Sequence, residues 1–119
     1  MDFLVLRDES QPYHQTGFKD EMLNAYSLFV ENRSLEPEEY LLGLSGVEDA
    51  ELVISRNPFT LPPNAMVKFT IYVFARRSSL RERITRLQFT LKSTRSSEIR
   101  ITREAPFLYP ERTEKGVEI

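Results

Sequence analysis

The chain has 119 residues, of which 40% are hydrophobic, and a formal net charge of −2. This length is enough for one domain with a single hydrophobic core. The sequence contains no cysteine and no tryptophan, which excludes disulfides, thiolate metal sites, iron–sulfur clusters bound by this chain, and an antibody-type core. No run of about 18 apolar residues occurs, so the sequence predicts no membrane-spanning helix.

Seven strands are predicted in chain order, at residues 3–6, 22–32, 39–44, 50–55, 65–75, 84–92 and 98–103. The clearest is 65–75, where β-branched and aromatic residues recur with a period of two, which is typical of a strand with one buried face. Its core-facing residues are expected to be Val67, Phe69, Ile71 and Val73. The other strands are expected to bury Tyr26, Leu28, Val30, Tyr40, Leu42, Leu44, Leu52, Ile54, Leu87, Phe89, Leu91, Ile99 and Ile101.

The segments between the strands have the composition of turns and loops. Residues 7–18 form a polar connection with Pro12 and Gly17 as breakers. Residues 56–64 contain three prolines that block ladder hydrogen bonds, so this segment is expected to be a loop or an irregular edge. Seven short strands at near-regular spacing predict an all-β fold, a seven-stranded antiparallel immunoglobulin-like β-sandwich. The domain is expected to span residues 1–110, and residues 111–119 form a charged tail expected to be frayed or disordered.

The charge is unevenly divided along the chain. Residues 1–60 carry 4 Lys/Arg and 12 Asp/Glu, a net −8, and residues 61–119 carry 12 and 6, a net +6. One interpretation is that strands of the two halves lie side by side and pair their charges across a sheet. The other is a basic surface for anionic lipid or nucleic acid. Because the acidic half should cancel most long-range attraction, no nucleic-acid partner is expected.

No pattern typical of a catalytic site is present. The single histidine, His14, lies in a Pro/Tyr loop and is expected to be a surface residue, with a copper site formed with Met22 as the alternative. The paired carboxylates at 20–21, 38–39 and 48–49 lie in turns or at strand edges without a base or nucleophile beside them. The chain itself is therefore expected to have no enzymatic activity and no metal or cofactor.

Four apolar side chains are expected to point away from the core: Phe29, Leu41, Tyr72 and Phe74. Phe29 and Phe74 would be neighbours if the second and fifth predicted strands pair, and together with Tyr72 they would form an interaction patch. The alternative is that the loop at 57–63 covers them with Phe59 and Leu61. Exposed edge strands would also allow a partner to add a strand.

The first third of the chain contains an Arg-Asp, then a Pro/aromatic loop, then an Asn-x-Tyr strand that ends in Asn; these residues are Arg7, Asp8, Pro12, Tyr13, Asn24, Tyr26 and Asn32. With this pattern the chain resembles the C-terminal immunoglobulin-like domain of the FixG/CcoG family. The family often continues Arg-Asp with Arg and Asn, whereas this chain has Glu9 and Ser10. Beyond these residues the resemblance extends to about residue 108 as a similar order of strands.

These residues also have structural interpretations of their own. Arg7 and Asp8 are expected to pair at the corner between strand and loop. Asn24 and Asn32 are suited to hydrogen bonds with turn backbone at the two ends of their strand. Tyr26 is expected to be a core residue whose hydroxyl finds a polar partner.

The resemblance implies a role that these residues alone do not. Proteins of this family are membrane proteins with several spans and [4Fe–4S] motifs, linked to assembly of cbb3-type cytochrome oxidase through redox handling of copper. The chain would then be a non-catalytic accessory domain for docking or assembly, on the periplasmic side of the inner membrane. The clusters would lie in the rest of the parent protein, and that part or oxidase assembly factors would be its partners. The alternative is a free-standing periplasmic chaperone-like or adhesive binding module.

Overall fold

The computed structural model describes residues 2–7, 14–15, 21–76, 84–95 and 100–108. Strands make up most of these ranges. In chain order they are β1 (Asp2–Arg7), β2 (His14–Gln15), β3 (Glu21–Glu31), β4 (Glu38–Ser45), β5 (Glu51–Val53), β6 (Phe59–Leu61), β7 (Met66–Arg76), β8 (Ile84–Ser93) and β9 (Arg100–Leu108). The described ranges contain no helix that is long and apolar enough to cross a membrane.

The strands form two antiparallel sheets that pack face to face. Sheet A has the order β1-β3-β7-β5, with the two-residue β2 beside β3, and sheet B has the order β6-β4-β8-β9. Each sheet has at its centre one strand from each half of the chain, β3 with β7 and β4 with β8. The prediction of an immunoglobulin-like β-sandwich is confirmed, with more strands than the seven expected.

The core lies between the sheets and consists of the inward-facing row of each strand. Tyr26 packs edge-on against Phe89 with ring centroids 5.3 Å apart, and Phe59 packs in the same way against Phe69 at 4.8 Å. Such aromatic pairs add about 0.5–1.5 kcal/mol to the burial of their surface. The predicted core residues that are fully buried are Tyr26, Leu28, Val30, Tyr40, Leu42, Ile71, Val73, Leu87, Phe89 and Leu91.

The additional strand in sheet B is β6, which lies within residues 56–64 at the edge of the sheet, so of the two alternatives expected for this segment the structure shows an edge at 59–61. After β5 in sheet A the chain crosses to sheet B, where Phe59–Leu61 pairs with Glu38–Tyr40, and it then returns to sheet A as β7. The prolines at 58, 62 and 63 flank this strand instead of interrupting it. Three residues without proline are therefore enough to extend the sheet at its edge.

The last strand is longer than predicted. It was expected to end at residue 103, but β9 continues to Leu108 and buries Ala105 and Phe107. Pro106 is tolerated because β9 is an edge strand. The main-chain groups at position 106 point away from β8, so the ladder with β8 requires no N–H there. Ile99, at the predicted start of this strand, and the tail at 111–119 lie outside the described residues.

Charges of the two halves pair across the structure. Arg95, after β8, donates to Glu38 of β4 at 2.8 Å and lies 3.8 Å from Glu36. This arrangement agrees with the first interpretation of the charge division, in which strands of opposite charge are neighbours. These pairs are at least partly exposed, so each contributes little to stability, about 0–1 kcal/mol.

Candidate interaction surface

The outer face of sheet A, which turns away from the core, carries an unusual number of apolar side chains. Five of them are large and exposed: Leu4 at 47%, Leu6 at 50%, Val53 at 41%, Met66 at 71% and Tyr72 at 37%. Leu23, Phe29 and Phe74 lie half-buried on the same face. Because large exposed apolar patches on folded proteins are typical of contact sites, this face is the candidate interaction surface.

The three residues of the predicted interaction patch all lie on this outer face, but they do not form one cluster. The strands β3 and β7 pair as expected, yet their register sets Phe29 opposite Lys68 and Phe74 opposite Leu23. Phe29 and Phe74 are therefore about 20 Å apart along the strands at 3.3–3.4 Å per residue. The expectation that they are neighbours was wrong, since pairing of two strands does not fix their register. Tyr72 lies close to the Phe74 end.

No loop from residues 57–63 covers this face. Phe59 and Leu61 are 3% and 4% exposed because they belong to β6 and point into the core from sheet B. Above Phe29, the Lys68 ammonium lies 5.7 Å from the centre of the ring, a cation–π distance. This lysine shields one end of the face, whereas the part around Tyr72 and Val53 has no such cover among the described residues.

The outer face of sheet B has a different chemistry. Its side chains form polar contacts with each other: Thr90 and Thr102 share a hydrogen bond of 3.1 Å, the Ser45 hydroxyl donates to Gln88 at 3.3 Å, and Arg86 lies 3.4 Å from Glu104. Leu41, which was also expected to point outward, is half-buried here. The exposed large apolar side chains of the described strands therefore lie mainly on sheet A, and Ile84 at the start of β8, 59% exposed, is the exception on sheet B.

Two of the family-motif residues connect the sheets from inside the core. Asn24 of β3 is fully buried, and its side-chain amide donates to the Leu108 carbonyl at 3.0 Å and accepts from the Leu108 N–H at 2.9 Å. The Tyr26 hydroxyl donates to the Pro106 carbonyl at 2.8 Å. Asn24 thus satisfies both main-chain groups of an edge-strand residue, as a neighbouring strand would. Its expected partner was a turn, and that expectation was wrong.

The second motif asparagine, Asn32, organises a turn as expected. Its amide nitrogen lies 2.9 Å from the Glu36 carbonyl and 3.1 Å from the carbonyls of Leu61 and Pro62, and its oxygen accepts from the Ser34 N–H at 2.9 Å. Asn32 is 1% exposed. It therefore holds together the end of β3, the turn after it and the end of β6.

Sequence reasoning missed Asn57. Its side-chain amide accepts from the Leu42 N–H and donates to the Leu42 carbonyl, both at 2.9 Å. Position 42 is where the ladder between β4 and β6 would continue beyond the pair Tyr40–Phe59. The Asn57 side chain therefore provides the hydrogen bonds that the main chain of a longer β6 would provide at this position. The available signal was an Asn-Pro dipeptide beside a short apolar run, which is a common turn signal and too general to identify this role.

Burial changes the acid–base behaviour of two core tyrosines. It raises the pKa of Tyr26 well above the ordinary value, against a smaller lowering effect of the Arg7 charge. Burial also raises the pKa of Tyr40, and the Glu38 carboxylate adds to that effect. Both phenols remain protonated at neutral pH, and the Tyr26 hydroxyl acts as a hydrogen-bond donor to the Pro106 carbonyl, which is a structural role.

The remaining candidate residues give no catalytic constellation. Arg7 ends β1, while Asp8, Pro12 and Tyr13 and the side chain of His14 lie outside the described residues. Met22 is 4% exposed and faces the core. Within the described ranges, no group of three or more His, Cys, Asp or Glu side chains is placed to hold a metal ion.

The fold and its two outer faces define a class: an immunoglobulin-like sandwich domain with an apolar surface on one sheet. The family model described as "IG-like fold at C-terminal of FixG, putative oxidoreductase" matches residues 1–110, and the chain belongs to this family. The recognition from Arg7, Asp8, Asn24, Tyr26 and Asn32 is confirmed at the level of the family.

A solved structure agrees with this fold. The chain is similar to the crystal structure of a FixG-related protein from Vibrio parahaemolyticus, with 24% sequence identity and a TM-score of 0.75 over 90% of this chain and 94% of that chain. It also matches a protein from Archaeoglobus fulgidus, with 16% identity and a TM-score of 0.45 over 93% and 98% of the two chains. No curated protein matches the sequence.

Proposed function

We propose that this chain is a non-catalytic accessory domain of a FixG-type membrane iron–sulfur protein. In this proposal the domain lies on the periplasmic side of the inner membrane and acts in docking during assembly of cbb3-type cytochrome oxidase and the associated redox handling of copper. The [4Fe–4S] clusters belong to the rest of the parent protein. The partner is that part of the parent or an oxidase assembly factor.

The observation that carries the docking role is the apolar outer face of sheet A. Family membership supports a place at the C-terminus of a larger protein, and a domain tethered there needs a surface for its neighbour. Leu6, Val53 and Tyr72 are exposed. Tyrosine is one of the residue types that provide most of the binding energy at protein interfaces, and aliphatic side chains around it exclude water. On the outer face of sheet B, the large apolar side chain exposed among the described residues is Ile84 at the start of β8.

The first test is the sequence of the native gene upstream of the codon for Met1. An open reading frame that encodes several apolar spans and clustered Cys-x-x-Cys motifs is the expected result. A start at Met1, or a signal peptide alone before it, would overturn the membership in a larger redox protein.

The second test addresses docking in the parent protein. Tyr72→Lys on the outer face of sheet A is expected to lower the amount of assembled cbb3 oxidase while the iron–sulfur absorbance of the parent stays unchanged. The matched control is Thr90→Lys on the outer face of sheet B, which is expected to have no effect. Equal behaviour of the two variants would rule out the outer face of sheet A as the docking surface.

The second candidate function is a free-standing periplasmic chaperone-like or adhesive module that captures extended peptides. The observation that favours it is an unpaired segment of β7 at the edge of sheet A, next to the short strand β5. Pull-down of extended peptides by a chain that starts natively at Met1 would support this function over the first.

A further inference from the structure

Among the described residues, no strand pairs with the edge of β7 at residues 66–70 on the side away from β3. In an antiparallel ladder, alternate residues direct their N–H and C=O groups to opposite sides. The Asn32 N–H donates to the Ala65 carbonyl at 2.8 Å, and this bond continues the register between β3 and β7. It follows that Met66, Lys68 and Thr70 direct their main-chain groups away from β3, toward the free edge of sheet A.

The strand that should cover this edge is too short to reach it. β5 has three residues and pairs with Tyr72–Phe74 alone, whereas β7 has eleven. Within the described ranges no hydrogen bond to the main chain of Met66, Lys68 or Thr70 is present. These five residues of edge, from Met66 to Thr70, extend about 17 Å, enough for a peptide strand of five to seven residues.

The core beneath the free edge is incompletely covered at the same positions. Val67 and Phe69 face inward from β7 but are only half-buried, whereas Ile71 and Val73, in the same row beside β5, are 0% exposed. Loss of cover thus begins where β5 ends. An added strand would supply both the missing main-chain partners and the missing apolar contacts.

At two other edges of the sandwich, side chains bind the main chain at single positions. On β4, Asn57 takes both main-chain groups of Leu42. On β9, Asn24 takes those of Leu108 and Tyr26 takes the Pro106 carbonyl. The edge of β7 at 66–70 has neither a strand nor such a side chain among the described residues.

We propose that the 66–70 edge of β7 binds an extended peptide segment of a partner as an additional antiparallel strand of sheet A. This site goes beyond the docking proposed for the outer face and does not depend on it. The ligand chemistry follows from the pleat. Peptide residues opposite Val67 and Phe69 would point toward the incompletely covered core and should be apolar. Peptide residues opposite Met66, Lys68 and Thr70 would point outward and should be polar, with a carboxylate near Lys68.

The test uses the whole 119-residue chain and a synthetic probe, acetyl-Glu-Val-Thr-Ile-Glu-Val-Thr-amide. Amide hydrogen exchange is measured by NMR with and without the peptide. The amides of Met66, Lys68 and Thr70 are expected to exchange more slowly by a factor of about 1 + [L]/Kd. Those of Arg100, Thr102 and Glu104, which also point to an edge, are expected to keep their rates.

Two matched pairs of controls separate edge pairing from other binding. N-methylation of the peptide at its first Thr and its second Glu blocks two of the N–H donors that would face β7, and this change is expected to abolish binding. N-methylation at the Ile and the second Val, whose N–H groups would point away from β7, is expected to preserve binding. In the protein, Thr70→Pro removes one edge N–H and is expected to weaken binding about tenfold, a loss typical of one hydrogen bond. Thr102→Pro, at the edge of β9, is expected to leave it unchanged.

Three results would overturn the proposal. The first is that the amides of residues 66, 68 and 70 exchange at unchanged rates at millimolar peptide. The others are that the two N-methylated peptides bind equally well, or that the two proline variants bind the unmodified peptide with equal affinity. The peptide comparison is made on the unaltered chain, so it remains decisive even if a proline variant fails to fold. A thermal melt monitored by circular dichroism checks the folding of both variants.

Discussion

The two long sides of the sandwich are closed in different ways. On the side where β1 and β9 form the edges, side chains of the opposite sheet reach across: Asn24 and Tyr26 bind the main chain of β9, and Arg103 of β9 donates to the Phe3 carbonyl of β1 at 3.0 Å. On the side of β5 and β6, two three-residue strands and the Asn57 side chain leave part of β7 uncovered.

This difference indicates how such a domain can be both stable and open to a partner. Hydrogen bonds from buried side chains replace a strand where the edge must be closed, because a buried main-chain group without a partner costs about 1–3 kcal/mol. Where the main chain remains in contact with water, no such replacement is required. The β1–β9 side therefore has a structural role, and the β5–β6 side is available for binding.

The sharpest test of the closed side is Asn24→Ala. The change leaves the N–H and C=O of Leu108 without their partner inside the protein, so the free energy of unfolding should fall by about 2–4 kcal/mol. Urea denaturation measures this loss. The control is Ser27→Ala, on the outer face of the same strand, which should change stability by no more than about 0.5 kcal/mol. A loss below about 1 kcal/mol for Asn24→Ala would show that β9 does not depend on this bond.

On the open side, the corresponding change is Asn57→Ala. It removes an equivalent pair of hydrogen bonds, but the main chain of Leu42 lies at an edge that water can reach once the amide is gone. A smaller loss of about 1–2 kcal/mol is therefore expected. Urea denaturation of both alanine variants under identical conditions provides the comparison. If Asn57→Ala costs as much as Asn24→Ala, the two sides are equally closed and the contrast between them is wrong.

Tyr26 adds a pH dependence to the closed side. Because burial raises the pKa of Tyr26, the unfolded chain ionises this phenol near pH 10 while the folded chain keeps it protonated. The stabilisation is complete below pH 10 and is lost as the pH rises above it, by up to about 1.4 kcal/mol per pH unit.

Denaturation between pH 8 and 11 measures this slope, with Tyr26→Phe as the comparison. The variant should lose about 1 kcal/mol at pH 7, for the bond to the Pro106 carbonyl, and should show a shallower decline above pH 10. An identical slope in both proteins would mean that Tyr26 ionises as readily in the folded chain as in the unfolded one.

Periodicity in the sequence was sufficient for the sandwich and most of its core, since alternation in segments such as 65–75 has one physical interpretation. It could not give the register, and so it placed Phe29 beside Phe74 when the ladder separates them. Register depends on the turns and on contacts distant in sequence, such as that between Asn24 and Leu108 at a separation of 84 residues.

The proline-containing segment at 58–63 was the other source of error. Its three prolines were expected to block ladder hydrogen bonds, but the segment lies at a sheet edge, where a missing N–H costs nothing if it points outward. The last strand, expected to end at residue 103, likewise continues through Pro106 at an edge. Which strands are edges is a property of the topology, and composition does not reveal it. For the same reason the unpaired stretch of β7 could be identified only when the short length of β5 was known.

The smallest expected effect concerns Arg103, whose side chain connects β9 to β1 by a hydrogen bond. Its bond to the Phe3 carbonyl is partly exposed, so Arg103→Ala should reduce global stability by only about 0.5–1 kcal/mol. Locally, β1 is an edge strand, and loss of this tie should increase its opening, so the amides of Leu4 and Leu6 should exchange faster than in the unaltered chain. The matched control is Arg100→Ala, at an exposed position of the same strand. Equal exchange rates in the two variants would show that β1 is held by its ladder with β3 alone, and that the closure of this side depends on Asn24 and Tyr26.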